Sequence, residues 1–257
     1  MNTCAKVRII LWFTFIIILI NQTYSFSFFG VGFGSKRDSQ DGKQKRLYEA
    51  AIDGDAETVK ELLNEGVNPD GYLGEDGSSA LLLCSERGEA DVVFMLLYSG
   101  ASVNHQRQDG ASALIAASAF GRINAVNLLL ENGANVDLYD TNGVTALMFA
   151  SDGGHVDVVT RLLQARANPD HASREGKTAL MWASYHGNRD VVFTLLDSGA
   201  SPYLADKDGV TALDIIQVDP ARNWQDAPEQ RDSARQIVHY YQHVSENRPG
   251  ATQRVEL

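Results

Sequence analysis

Asn142-Gly143-Val144-Thr145-Ala146-Leu147 decides the fold, because the same phrase is written five times. The other copies are Asp76-Gly77-Ser78-Ser79-Ala80-Leu81, Asp109-Gly110-Ala111-Ser112-Ala113-Leu114, Glu175-Gly176-Lys177-Thr178-Ala179-Leu180 and Asp208-Gly209-Val210-Thr211-Ala212-Leu213. Their glycines recur every 33 residues, and a second ladder of Gly88, Gly121, Gly154 and Gly187 keeps step with them. A fixed period of this size means one supersecondary unit stacked on copies of itself. Such a stack encloses no cavity by default and offers a long surface instead.

The copy from Asn142 to Asp170 shows what one unit does. Asn142-Gly143 is a tight-turn dipeptide, since glycine tolerates positive φ. Thr145 suits an N-cap, its hydroxyl accepting a backbone N–H that the following helix leaves unpaired. Leu147, Ala150 and Ser151 then share one helical face. Gly153-Gly154 ends this short helix. A second helix is expected over Val156–Gln164, burying Val158, Val159, Leu162 and Leu163, and Asn168-Pro169-Asp170 breaks it off. Neither helix is long enough to hold alone in water, so each needs its neighbours to cover its apolar side.

The pattern resembles the ankyrin repeat. Gly100-Ala101-Ser102-Val103-Asn104 and Gly133-Ala134-Asn135-Val136-Asp137 match the end of that family's phrase, and Gly154-His155 matches its middle. The resemblance covers about residues 47–218, with full repeats near 75–107, 108–140, 141–173 and 174–206 between partial ends. It implies an all-α solenoid of helix–turn–helix units with β-turn tips, closed by a C-terminal capping helix. The departures are specific. The family's proline is Ala80, Ala113, Ala146, Ala179 and Ala212 here, and its histidine is Leu82, Ile115, Met148, Met181 and Asp214, so its Thr–His network is absent. Arg166 stands where the other copies have Gly100, Gly133 and Gly199, which predicts a strained helix end. One extra residue between the first two copies points to an insertion around Gly71-Tyr72-Leu73-Gly74.

Outside the repeats, Leu47 to Asn64 reads as a capping helix pair. Asp232 to Val244 reads as an amphipathic helix with Ala234, Ile237, Tyr241 and Val244 on one stripe. Residues 219–244 form the C-terminal cap region and 245–257 a disordered tail. Lys6 and Arg8 precede an apolar run from Ile9 to Ile20, then a polar stretch ending in Thr23-Tyr24-Ser25. That is signal-peptide layout over residues 1–25. It leads to residues 26–46 as a basic linker and predicts passage into the secretory pathway. Phe26, Phe28, Phe29, Val31 and Phe33 extend the run weakly, so an uncleaved membrane anchor through residues 9–33 is the alternative; a plastid presequence at 26–37 is a third.

The chain carries 22 basic against 33 acidic side chains, and from residue 47 onward the ratio is 15 to 31. This excludes the nucleic-acid binders, which need a basic face for phosphate, and fits either a protein partner with a basic surface or simple solubility, the commoner cause of an acidic balance. Cys84 aligns with Ala117, Ala150 and Ala183 and is expected to be a small buried hydrophobe. Asp76, Asp109 and Asp208 precede turn glycines and serve the turns. No phosphate loop, nucleophile constellation or metal-ligand set is written here. His239 and His243 lack a third ligand, and no acid is expected in an apolar setting that would raise it. The expectation is therefore a binding module without cofactor, metal or small-molecule substrate, and no enzyme.

The resemblance implies that a partner contacts the turn tips and the concave face of the first helices. Mapped repeat by repeat, the candidates are Phe120, Tyr139, Phe149, Arg174, Lys177, Trp182, Tyr185 and His186. Aromatic side chains and arginine are the usual interface anchors.

Overall fold

The computed structural model of the chain describes residues 39–218, and residue 240 beyond them. Eleven helices stand among the described residues. α1 (Gln40–Asp53) and α2 (Ala56–Asn64) form the first pair. α3 (Ala80–Arg87) with α4 (Ala90–Tyr98), and α5 (Ala113–Ala119) with α6 (Ile123–Glu131), follow. α7 (Ala146–Asp152) with α8 (Val156–Gln164), and α9 (Ala179–His186) with α10 (Arg189–Asp197), complete the full repeats. α11 (Ala212–Val218) opens a final partial one. The odd-numbered helices pack on one another in chain order as an inner layer, and the even-numbered helices from α2 to α10 do the same outside.

Local chemistry starts each inner helix where the periodicity predicts. The hydroxyls of Ser79, Ser112, Thr145 and Thr178 accept the N–H of Leu82, Ile115, Met148 and Met181 at 3.2, 3.3, 3.4 and 3.4 Å. All four caps are buried, where an unpaired helix N–H would be costly. Cys84, Ala117, Ala150 and Ala183 fill the small inward position, each fully buried. Outer helices contribute Val92, Val126, Val159 and Val192 with Leu96, Leu129, Leu162 and Leu195 to the same continuous core. Leu163, expected inside, is only partly buried, because it falls at the margin of the Val158–Val159–Leu162 stripe.

Two ladders of hydrogen bonds tie each repeat to the next. Along the turn tips, backbone N–H groups of Gln108, Thr141, Arg174 and Lys207 donate to the carbonyls of Asp76, Asp109, Asn142 and Glu175 at 2.8–3.1 Å. At the other end, side-chain oxygens of Asp70, Asn104, Asp137 and Asp170 accept the N–H of Ser102, Asn135, Asn168 and Ser201. Isolated antiparallel bridges at Gln106–Ser112, Tyr139–Thr145 and Ala205–Thr211 close individual tips.

The ends depart from expectation in detail. α1 begins at Gln40, not Leu47, because the Ser39 hydroxyl caps Gly42 N–H at 3.3 Å and Lys43 reaches Glu65 at 2.7 Å. Residues 40–46 of the expected linker are therefore helical. In the inserted loop, the Tyr72 ring rests 5.0 Å from that of Tyr48. Thr211 and Asp214 form a reciprocal capping box on α11, so the acid at the family's histidine position closes the last helix start. Tyr240, neighbour of the expected stripe residue Tyr241, is helical; its ring lies 4.8 Å from Phe193 and its hydroxyl donates to Asp197. The rest of the expected helix over 232–244, with His239 and His243, lies outside the described residues. So do Trp224, the signal-like segment 1–25, residues 26–38 and the tail 245–257.

Arg166 has φ 67°, the left-handed conformation that its glycine counterparts supply elsewhere. Arg166→Gly is expected to raise stability by about 0.5–1 kcal/mol, the relief of left-handed strain less the flexibility added to the unfolded chain. Urea melts of the two chains check this.

Cys84 sits fully buried against α1, its thiol donating to the Ala51 carbonyl at 3.0 Å. Burial pushes the thiol up to about 12. The folded state holds this proton more tightly than the unfolded chain does. Its contribution is therefore constant below the ordinary value of 9.0 and is lost as pH rises from there towards 12. At pH 8, a thiol reagent is expected to leave Cys84 of the native protein unmodified and to modify it on unfolding in urea, the peptide holding Cys84 being read separately from that holding Cys4. Rapid labelling of Cys84 in folded protein would contradict the burial.

Candidate partner-binding groove

Where the third and fourth full repeats meet, the turn tips and inner helices enclose a groove of about 340 Å³. Its walls come from Val144, from Met148 and Phe149 on α7, and from Trp182 on α9. Asp152 closes one end at the last residue of α7. Asp140, Asn142, Ser173, Glu175 and Lys177 bring the polar rim from two successive tips. The tips are held rigidly. Asp140 Oδ1 accepts the N–H of both Asn142 and Val144 at 2.8 Å, and Arg174 N–H donates to the Asn142 carbonyl at 2.8 Å.

The electrostatics are lopsided. The lining carries three carboxylates and one ammonium, with Lys207 from the next tip 3.8 Å from Glu175, and Lys177 Nζ stands over the Trp182 ring, 5.7 Å from its centroid. Asp152 Oδ1 lies out of water, 2.7 Å from His186 Nε2, while 40% of its side chain stays exposed. Burial raises the Asp152 carboxyl above the ordinary range, and the neighbouring His186 only partly offsets this. Glu86, two repeats earlier at the same position, is also raised by burial, with Arg107 and Arg87 pulling it back. These two correct the expectation that no acid sits where burial would raise it. A helix end that reads as exposed in one repeat is partly closed once its neighbour stacks on it. Trp182 Nε1 is likewise out of water and unpaired.

Of the eight residues marked from the sequence, the groove gathers Phe149, Lys177 and Trp182, and His186 joins through Asp152. Phe120, at the end of α5, and Tyr185, edge-on to His186, are exposed and do not line it. Tyr139 is 55% exposed at a tip, stacked on His171 with centroids 5.6 Å apart. Arg174 is exposed, with its backbone in the tip ladder. His155, of the Gly154-His155 match, places Nε2 3.2 Å from the Ala119 carbonyl. Asp140, Asp152, Ser173 and Glu175 were not marked. Their signal was available as departures from the repeat, since the position of Asp152 is Glu86, Ala119 and Tyr185 elsewhere.

On the opposite face, Phe94 and Tyr98 of α4 are 53% and 84% exposed and stack with centroids 6.1 Å apart. Phe193 holds the position of Phe94 three repeats on, and there Tyr240 covers it. Among the described residues, no three His, Cys, Asp or Glu side chains are grouped to hold a metal ion, and no helix is long and apolar enough to cross a membrane.

A family model described as ankyrin repeats, three copies, matches residues 28–109, 47–140 and 114–206. None of the curated proteins compared with the chain is similar enough to count as a relative.

Proposed function

The chain belongs to the ankyrin-repeat family, whose repeats are protein–protein interaction modules, and on that premise we propose that it binds a partner protein through its concave face and turn tips, centred on the groove between Phe149 and Trp182. The observation that carries the reading is the meeting of two large half-buried aromatic side chains with an acidic rim, at one junction of an otherwise regular stack. The partner presents a basic surface there, and no nucleic acid or small-molecule substrate is involved. The mechanism is preorganised recognition. Capped helices and bonded tips hold the groove residues before the partner arrives, so little ordering entropy is lost on binding. A photo-crosslinking residue placed at position 149 is expected to capture the partner in cells. The same residue at position 94, on the outer face, is expected to capture nothing. Capture from position 94 alone would contradict the reading.

The proposed setting is the secretory pathway, from the basic residues Lys6 and Arg8 ahead of the apolar run Ile9–Ile20. Protease treatment of membranes from cells expressing the chain, tagged at its C-terminus, is expected to leave a protected, shortened product. Digestion of a full-length product would place the repeats in the cytosol behind an uncleaved anchor.

A further inference from the structure

We propose that the groove takes an arginine side chain of the partner, with its guanidinium beside Asp152 and its plane against Trp182. This rests on the groove being the docking site and names what enters it.

The repeat register itself supplies the comparison. Glu86 and Asp152 hold the same position on α3 and α7. Arg107 stands to Glu86 as Ser173 stands to Asp152, each opening the turn that leads into the next repeat. At the first junction the chain thus supplies its own cation. Arg107 is held to Asp109 at 2.8 Å, its side chain only 27% exposed, and its charge acts on Glu86. At the groove the arginine position is a serine, and Asp152 is met instead by His186, whose Nε2 lies 2.7 Å away.

The walls change in the same direction. Leu83 and Ala116 flank the first junction, whereas Phe149 and Trp182 flank the groove. A wide, flat aromatic face replaces small aliphatic ones exactly where the internal arginine is lost. A guanidinium stacks on such a face while its fork holds a carboxylate, which a lysine ammonium cannot do at once. Lys177 already sits over the Trp182 ring at 5.7 Å, so that face attracts a cation within the chain itself. Asp140 on the rim adds negative potential along the approach, while Glu175 is already met by Lys207 at 3.8 Å.

The test selects displayed linear peptides against the full chain and measures the best binder by calorimetry. The selected peptides are expected to share one arginine, whose change to lysine costs at least about tenfold in affinity. Asp152→Asn is expected to cost at least about tenfold as well. Ser173→Arg should fill the groove from within and weaken the peptide to a similar degree, without lowering the melting temperature. Peptides that lack arginine yet lose binding on Trp182→Ala would overturn the arginine assignment and leave the docking site standing. So would Asp152→Asn or Ser173→Arg binding as tightly as the parent chain. A selection yielding only peptides indifferent to Trp182→Ala, or none, would overturn both readings.

Discussion

Trp182→Ala is expected to weaken the partner by about 2 kcal/mol or more, roughly a thirtyfold loss of affinity. The side chain is half-buried on α9, forms one wall of the groove and lies under Lys177. Truncation removes an aromatic face and opens the site to water, the two losses that mark an interface anchor. Phe149→Ala, on the facing helix, should act in the same direction, and Glu86→Ala, at another junction, should change affinity by less than about 0.5 kcal/mol. Trp182→Phe separates folding from recognition. Trp182 Nε1 is buried without an acceptor, so losing that donor is expected to leave stability unchanged or slightly improved. Titration calorimetry with thermal melts of each variant reads both effects. Unchanged affinity in both alanine variants would remove the concave face from the account.

Gly110→Ala is expected to destabilise the chain by about 3 kcal/mol, against about 1 kcal/mol for Gly133→Ala. Both glycines have positive φ, 84° and 83°. Their surroundings differ. A Cβ at Gly110 would lie 2.8 Å from Thr141 N and 2.9 Å from Asp140 Cα, whereas at Gly133 nothing stands within 4 Å. The first contact is with backbone, which cannot move without breaking the Thr141 N–H bond to the Asp109 carbonyl, 2.8 Å long. Gly133→Ala therefore isolates the conformational cost, and Gly110→Ala adds the loss of a junction. In a stack stabilised by nearest-neighbour interfaces, the second should also broaden or split the urea transition. Equal costs would mean that neighbouring tips yield freely to one another.

The account of the fold was legible because its causes are local and repeated. Thr145 capping Met148 and the buried run Val158, Val159 and Leu162 each depend on a few adjacent residues, written once per period. What escaped depends on pairs that the period places in different repeats. Asp137 accepting Asn168 N–H was unread, although Asp70, Asn104 and Asp170 repeat its carboxylate or amide and only Tyr203 breaks the series. Asp152 looked like a solvated helix end, because only stacking brings His186 and the next turn against it. The early start of α1 turned on a single serine cap inside a basic stretch that composition alone made a linker. Of the groove, the aromatic walls were visible as large residues in a register of small ones, and the acidic end was not.

The central claim is that recognition occurs on the concave face at the Phe149–Trp182 groove. Its most direct measurement is amide hydrogen exchange of the full chain with and without its partner. The account predicts slowed exchange at residues 140–152 and 173–186, with the outer helices α4, α6, α8 and α10 unchanged. Slowed exchange confined to the outer helices, with the groove segments unaffected, would contradict it.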